Sequence, residues 1–192
     1  MPLFPTRLTL KIRFMMATGA VLLVLMTVII LLVGRSLARS IREEAEARGL
    51  AVARSIAAVS TSALLTYNYV VLEQNAEQAS RDPDLVYVII LNKEQSVAAF
   101  SGHSGWQGKY LDDAVNERAL AATVPLIQSP IWAETGERVL DIAVPVYISG
   151  SPVKWGTVRV GLSLERMYGR IRQTVLTLTG IGALALLSLI HI

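Results

Sequence analysis

The sequence predicts an α+β domain held between two membrane-spanning helices. Three observations lead to this fold class: two long runs without charge, helical periodicity after the first run, and strand patterns in the middle of the chain. The chain has 192 residues, of which 53% are hydrophobic and 17% are charged, whereas soluble domains carry about 45–50% apolar and about 25% charged residues. This composition excludes a disordered chain.

The first uncharged run covers residues 14–33 and predicts a transmembrane helix. At about 1.5 Å per residue it spans about 30 Å, which matches the hydrocarbon thickness of a bilayer. The apolar core of a cleaved signal peptide has only about 7–15 residues, so we expect an uncleaved anchor. The basic tail, residues 1–13, is expected in the cytoplasm, and residues 34–173 are expected outside.

The second uncharged run covers residues 174–192 and predicts a second, truncated transmembrane helix. Its last six residues, 187–192, resemble a translated sequencing adapter, so we expect the natural chain to continue beyond about residue 186. The alternative is a natural apolar helix end with His191 at the interface.

The net charge of +3 comes from the N-terminal tail alone. Arg7, Lys11 and Arg13 precede any acidic residue, and the remaining 15 basic residues equal the 15 acidic residues of the whole chain. Nucleic-acid binding needs a clustered excess of positive charge. The sequence therefore predicts no nucleic-acid partner, and it predicts contact with membrane lipids instead.

Residues 34–84 predict a long helix that emerges from the membrane and ends before Pro83. Its apolar side chains recur at helical spacing, and charged side chains occupy the other face. The apolar stripe is expected to pack either on the domain or on a second copy of the chain, so a homodimer is predicted. The stripe consists of Leu37, Ile41, Ala45, Val52, Ile56, Val59 and Ala63.

Residues 85–163 predict a sheet region with one short helix inserted. Strands are expected over 85–91, 96–101, 123–132, 138–148 and 154–163, and the third is restricted to an edge by Pro125 and Pro130. Asp112 or Asp113 is expected to cap the helix, which runs to Ala122. Residues 164–173 are expected to form a juxtamembrane helix.

The sequence contains no recognisable catalytic or metal-binding motif. It has no cysteine, and His103 is the only histidine outside the adapter-like end. Its carboxylate pairs occupy a solvated helix face and a helix start, and no phosphate-binding glycine motif occurs. We therefore expect no catalytic residue, no metal and no cofactor.

Ligand recognition is the remaining prediction, because aromatic, basic and acidic side chains accumulate in the sheet region. An apolar wall with a few polar groups makes a small-molecule pocket, and a cation there pairs with a carboxylate. The alternative is that these side chains belong to the core or the surface. Arg138→Ala or Tyr147→Ala is expected to weaken binding if both face the pocket. The candidate ligand-binding residues are Tyr87, Lys109, Tyr110, Trp132, Arg138, Asp141 and Tyr147.

Two strand sequences carry a family resemblance. The segments DIAVPVY (141–147) and WGTVRVGLS (155–163), with the long helix and the hairpin at 85–91, resemble an extracytoplasmic Cache (PAS-like) sensor domain of bacterial transmembrane receptors over residues 35–173. The resemblance implies a five-stranded antiparallel sheet flanked by helices, with a small metabolite bound on one face. It also implies a cytoplasmic output module after the second span.

The resemblance makes a sensor histidine kinase of the bacterial inner membrane the expected receptor, with the domain periplasmic or extracellular. A diguanylate cyclase or a chemoreceptor is an alternative output. The other alternative is a membrane-anchored scaffold whose outer domain binds a protein partner. A membrane-anchored enzyme is disfavoured because the sequence lacks a catalytic constellation.

Overall fold

The computed structural model describes residues 10–148, 150–166, 169, 173 and 176–182. It forms two compact units, residues 1–40 with 169–192 and residues 41–168. The helices are α1 (Leu10–Leu65), α2 (Tyr69–Ser80) and α3 (Ala114–Ala121), with a short 3-10 turn at Ser104–Trp106. The strands are β1 (Leu85–Asn92), β2 (Val97–Phe100), β3 (Leu126–Gln128), β4 (Val139–Tyr147) and β5 (Lys154–Ser163).

In the first unit, α1 contains the candidate membrane span. Among the described residues, one helix is long and apolar enough to cross a bilayer, and none of its most apolar stretch is buried. This helix includes the predicted span at 14–33. Residues 176–182 of the second predicted span are helical. The adapter-like end, with His191, lies outside the described residues.

The long helix predicted within residues 34–84 is interrupted, so the expectation of one continuous helix was wrong. The backbone of Tyr67 has a φ of +52°, a left-handed conformation that ends a helix. Asn68 then caps α2, since its side-chain oxygen accepts a hydrogen bond from the Val71 N–H at 3.3 Å. An N-cap asparagine needs no glycine or proline beside it. The interruption lets α2 pack against β1 and β2.

The second unit contains the predicted five-stranded antiparallel sheet, with the strand order β2-β1-β5-β4-β3. The edge strand β3 has three residues, between Pro125 and Pro130, because proline cannot donate to a strand ladder. Of the two predicted caps of α3, Asp113 is the one observed. Its Oδ1 accepts a hydrogen bond from the Asn116 N–H at 2.8 Å. The predicted cap and sheet are thus confirmed.

The sheet separates two cores, because side chains of a strand alternate between its faces. On one face, side chains such as Ile142 and Val160 pack with Ala53 and Ile56 of α1. Five residues of the predicted helical stripe therefore pack on their own domain, whereas Val59 is exposed. The five are Ile41, Ala45, Val52, Ile56 and Ala63. The opposite face has its own apolar cluster, formed by Tyr87, Ile89, Leu91, Val97, Phe100 and Val139 with Val86, Leu111, Leu120 and Trp132.

The contact of α1 with the sheet depends on Gly49. A Cβ atom at this position would lie 2.3 Å from Ile142 Cδ1 and 2.7 Å from Leu162 Cδ1. Both distances are shorter than real Cβ contacts allow. A side chain at position 49 would therefore have to displace the terminal methyl groups of Ile142 and Leu162.

We predict that Gly49→Leu lowers the free energy of unfolding of residues 41–168 by about 2–3 kcal/mol, because overpacking forces the helix away from the sheet. The matched control is Ala51→Leu, at an exposed position of the same helix, where we expect a change within about 0.5 kcal/mol. Urea denaturation followed by tryptophan fluorescence measures both. Equal losses in the two variants would contradict the close approach at Gly49.

Candidate functional site

A buried ion pair lies on the sheet face opposite α1. Arg159 of β5 and Asp141 of β4 are 2% and 0% exposed. The arginine donates twice to the same carboxylate oxygen, from Nε at 3.0 Å and from Nη2 at 2.5 Å to Asp141 Oδ2. The other carboxylate oxygen, Oδ1, is left for a further donor. Side chains alternate between the two faces along a strand. Arg159 and Asp141 therefore lie on this face, whereas their apolar neighbours in sequence face α1.

Helix α3 is tied to this ion pair through Asn116. Arg159 Nη1 donates to Asn116 Oδ1 at 3.0 Å, and Asn116 Nδ2 donates to the carbonyl oxygen of Leu111 at 2.9 Å. Asn116 is itself buried. The arginine therefore holds the first turn of α3 against the sheet.

An aromatic wall lies beside the ion pair. The rings of Tyr87 and Trp132 are 4.3 Å apart between centroids, and Arg159 Cζ is 6.0 Å from the Tyr87 ring centroid. Gly161 makes room for this ring, because a Cβ there would lie 2.4 Å from Tyr87 Cε1. The site thus combines an apolar wall with convergent polar groups, as ligand pockets do.

Three buried polar atoms on this face lack a hydrogen-bond partner of good geometry among the described residues, although the Tyr87 hydroxyl lies close enough to Asp141 and Arg159 for both to act on its pKa through hydrogen bonds. They are the Tyr87 hydroxyl, Asp141 Oδ1 and Thr157 Oγ1. Leaving a buried polar group unpaired costs about 1–3 kcal/mol, and native structures contain few such groups. All three atoms lie on the same sheet face, beside the Arg159–Asp141 ion pair.

Burial and the ion pair set the charge states. Burial, reinforced by the negative charge of Asp141, raises the pKa of Tyr87 far above its usual range. Burial alone lowers the pKa of Arg159, but the charge and hydrogen bonds of Asp141 raise it by more. The site therefore offers a neutral phenol, a guanidinium and a carboxylate at neutral pH.

A cavity of about 140 Å³ adjoins the cluster at Thr157. Lys154 lines it and holds the last turn of α3, since Nζ donates to the carbonyl oxygens of Leu120 at 2.7 Å and Ala122 at 2.9 Å. Burial lowers the pKa of Lys154. The remaining lining residues are Asn92, Lys93, Gln95, Leu120 and Gly156.

The structure brings together three of the seven candidate ligand residues, Tyr87, Trp132 and Asp141. It does not place the other four in the cluster: Lys109 lies over the Trp106 ring, Tyr110 and Arg138 are exposed, and the Tyr147 hydroxyl points to the Thr123 carbonyl at 3.4 Å. These four positions are in loops or at strand ends, where residue type alone does not fix direction.

Sequence reasoning missed three residues of the cluster, Arg159, Asn116 and Thr157. A signal for two of them was present, since Thr157 and Arg159 alternate with Val158, Val160 and Leu162 in β5. A charged side chain inside such a strand faces either solvent or a buried partner. Asn116 is placed by the tertiary contact of α3 with the sheet, which the sequence does not reveal.

Comparisons with known proteins agree with this architecture. Residues 36–175 match the family model described as single cache domain 3. The Escherichia coli DcuS sensor domain is 18% identical with a TM-score of 0.59, and the match covers 69% of this chain and 98% of that domain. A search of curated protein sequences found no significant match.

Two chemoreceptor domains are also similar in structure. The sensory domain of Campylobacter jejuni Tlp3 with isoleucine bound is 14% identical with a TM-score of 0.56; the match covers 74% of this chain and 60% of that one. The ligand-binding domain of Pseudomonas fluorescens CtaA in complex with L-isoleucine is 16% identical with a TM-score of 0.51, at 70% and 55% coverage. The match thus spans just over half of these two chemoreceptor domains.

We predict that Asp141→Ala lowers the free energy of unfolding by about 3–5 kcal/mol, because it leaves Arg159 buried without its counter-charge. The double variant Asp141→Leu with Arg159→Met removes both charges. We expect its free energy of unfolding to fall much less than that of Asp141→Ala. Urea denaturation compares the two, with exposed Arg138→Ala as the control. A double variant as unstable as Asp141→Ala would contradict the assignment of the loss to an unpaired charge.

Proposed function

Because the chain belongs to the single Cache domain 3 family, we propose that residues 34–173 form the extracytoplasmic, ligand-sensing domain of a two-span bacterial receptor. In this proposal residues 14–33 and 174–192 cross the inner membrane, and residues 1–13 stay in the cytoplasm. The observation that carries the proposal is the buried polar cluster of Arg159, Asp141, Tyr87, Thr157 and Asn116, with its three unpaired atoms.

The cluster is better explained by binding than by stability. A buried ion pair is commonly no more stabilising than apolar residues of the same volume, and each unpaired group adds a cost. A purely structural role would be served by an apolar layer such as the one that Ile89 and Leu91 form beside it. Strained or costly groups of this kind concentrate at functional sites.

We infer that the ligand is a small molecule with a carboxylate. Its carboxylate would bind the Arg159 guanidinium and accept from the hydroxyls of Tyr87 and Thr157, whereas Asp141 Oδ1 would accept from a donor group of the ligand. The Tlp3 and CtaA domains were solved with isoleucine, which carries both a carboxylate and an ammonium group. The Trp132 and Tyr87 rings would contact the apolar part.

The signal would pass through the sheet, because its strands present alternating side chains to the site and to α1. Asp141 and Arg159 face the site, whereas the adjacent Ile142 and Val160 pack towards α1. A ligand that moves β4 against β5 therefore shifts the surface on which Gly49 rests. Since α1 is continuous from Leu10 to Leu65, we propose that it carries this displacement into the membrane segment.

The output module is proposed to be a histidine kinase, which the family resemblance favours. A chemoreceptor is the second candidate, because Tlp3 and CtaA are chemoreceptors. A reading frame that continues beyond residue 186 into an output domain would support either, and the type of that domain would decide between them. A stop codon there would favour a scaffold that binds a protein partner.

We predict that Arg159→Lys weakens ligand binding by about 10- to 100-fold, because lysine keeps the charge but loses the planar fork. A thermal-shift screen of the full chain in detergent, with amino acids and small mono- and dicarboxylates, identifies the ligand. Isothermal titration calorimetry then measures the affinities.

The matched controls are Arg138→Ala and Tyr147→Ala, which the sequence placed in the pocket and the structure places at exposed positions. Both controls should bind with the affinity of the unmodified chain. Loss of binding in the controls with unchanged binding in Arg159→Lys would move the site away from the cluster.

We further propose that the receptor is a homodimer joined along the exposed side of α1. Small side chains on this side, Ala47, Ala51 and Ala58, leave room for a second helix. The chain contains no cysteine, so a single introduced cysteine reports contacts cleanly.

We expect Ala58→Cys to form disulfide-linked dimers on oxidation in membranes. Gln107→Cys, at an exposed position in the loop after β2, should form few. Non-reducing electrophoresis measures both. Equal cross-linking at the two positions would contradict a dimer along α1, while leaving the ligand site untouched.

A further inference from the structure

We infer that His103 and Glu134 form a proton-dependent latch that closes the β3–β4 loop over the proposed ligand site. This inference rests on the proposed function for the meaning of the site, but its geometry stands separately. His103 follows β2, and Glu134 belongs to residues 129–138, the loop that carries Trp132. His103 Nε2 lies 3.2 Å from Glu134 Oε1.

Both ring nitrogens of His103 face atoms that only accept hydrogen bonds. Nε2 faces the Glu134 carboxylate, and Nδ1 lies 3.1 Å from the backbone carbonyl oxygen of Ser101. A neutral imidazole has one N–H donor, whereas the imidazolium has two. The arrangement is therefore fully hydrogen-bonded only when His103 is protonated, and deprotonation gives up one of the two contacts.

The latch is connected to the site through a stack of rings. The His103 ring lies 4.5 Å from the Phe100 ring, Phe100 lies 6.1 Å from Trp132, and Trp132 lies 4.3 Å from Tyr87. Trp132 is held within its own loop, by its backbone N–H to the Glu137 carbonyl at 2.8 Å. The Glu134 contact ties this loop to the segment after β2, so releasing it removes one restraint on the loop that carries Trp132.

The other charged side chains near His103 contact groups other than the imidazole. Glu77 of α2 accepts from the Gly102 N–H at 2.5 Å, Lys109 lies over the Trp106 ring, and Glu137 accepts from the Ser163 hydroxyl at 2.9 Å. Arg138 is exposed at the base of the loop. Glu134 is the one carboxylate that the described residues place in direct contact with the imidazole.

The sign of the effect follows from these contacts. The closed loop is favoured while both ring nitrogens of His103 carry a proton, and it opens when the ring loses one of these protons as the pH rises. Because an ion pair this exposed is weak, the expected change in the closed-to-open ratio is about two- to five-fold.

The test follows acrylamide quenching of Trp132 in the full chain carrying Trp106→Phe and Trp155→Phe, between pH 5 and pH 8. We expect quenching to rise with pH in a single transition. His103→Gln keeps one donor but cannot gain a proton, so its quenching should be independent of pH; Glu134→Gln should behave in the same way. Lys109→Gln and His191→Gln are the charge and histidine controls and should keep the transition.

A pH transition that persists in His103→Gln, or quenching of the parent chain that does not change with pH, would overturn the latch. Circular dichroism at both pH values shows whether each variant is folded, and His103→Asn serves as a second neutral variant. No ligand is used in this experiment. Its outcome is therefore independent of whether the Arg159 cluster binds the proposed carboxylate.

Discussion

The arrangement of the sheet face opposite α1 depends on the ion pair between Arg159 and Asp141. A guanidinium in an apolar layer is tolerated only with a counter-charge and with its donors engaged. Asp141 supplies the charge on the adjacent strand, and Asn116 supplies a further acceptor from α3. The same three residues therefore fix the register of β4 against β5 and the position of α3 on the sheet. One carboxylate oxygen lacks a partner of good geometry among the described residues, which is why we propose that the pair also contacts the ligand.

Strand alternation places this pair and the membrane-linked helix on opposite sides of one sheet. On the α1 face, the terminal methyl groups of Ile142 and Leu162 pack against the backbone of Gly49 without room for a further side chain in their present positions. The opposite face combines the contacts of Arg159 with Asp141 and Asn116 and the Tyr87–Trp132 ring pair with an apolar cluster of its own. In the proposed receptor, a change in the polar contacts of one face would reach α1 through the strands β4 and β5 that the two faces share.

Much of the fold could be predicted from the sequence, because it depends on periodicity and local chemistry. Uncharged length predicts the span at 14–33, alternation predicts β5 over 154–163, and Asp113 is a typical helix cap. The break at Tyr67 could not be predicted in this way, since no glycine or proline marks it and tertiary packing of α2 stabilises it.

The candidate site was predictable only in part. Asp141 and Tyr87 lie in strong strands, where alternation decides which face they occupy. Arg138 and Tyr147 lie at the two ends of β4, where the sheet no longer covers them. The burial of Arg159 could not be predicted, because a single basic residue in a strand ordinarily faces solvent. Only the contact with Asp141 on the adjacent strand shows that it is buried.

Strand β5 holds both ends of α3. Arg159 binds its first turn through Asn116, and Lys154 binds its last carbonyl groups. These two residues are about 17 Å apart along an extended strand, somewhat more than the length of about 12 Å of an eight-residue helix. Helix α3 is therefore attached near both of its ends to a single strand, and a tilt of α3 would strain its hydrogen bonds to β5. Residues 164–166, directly after that strand, are helical, so such a tilt would act on the strand that leads into them.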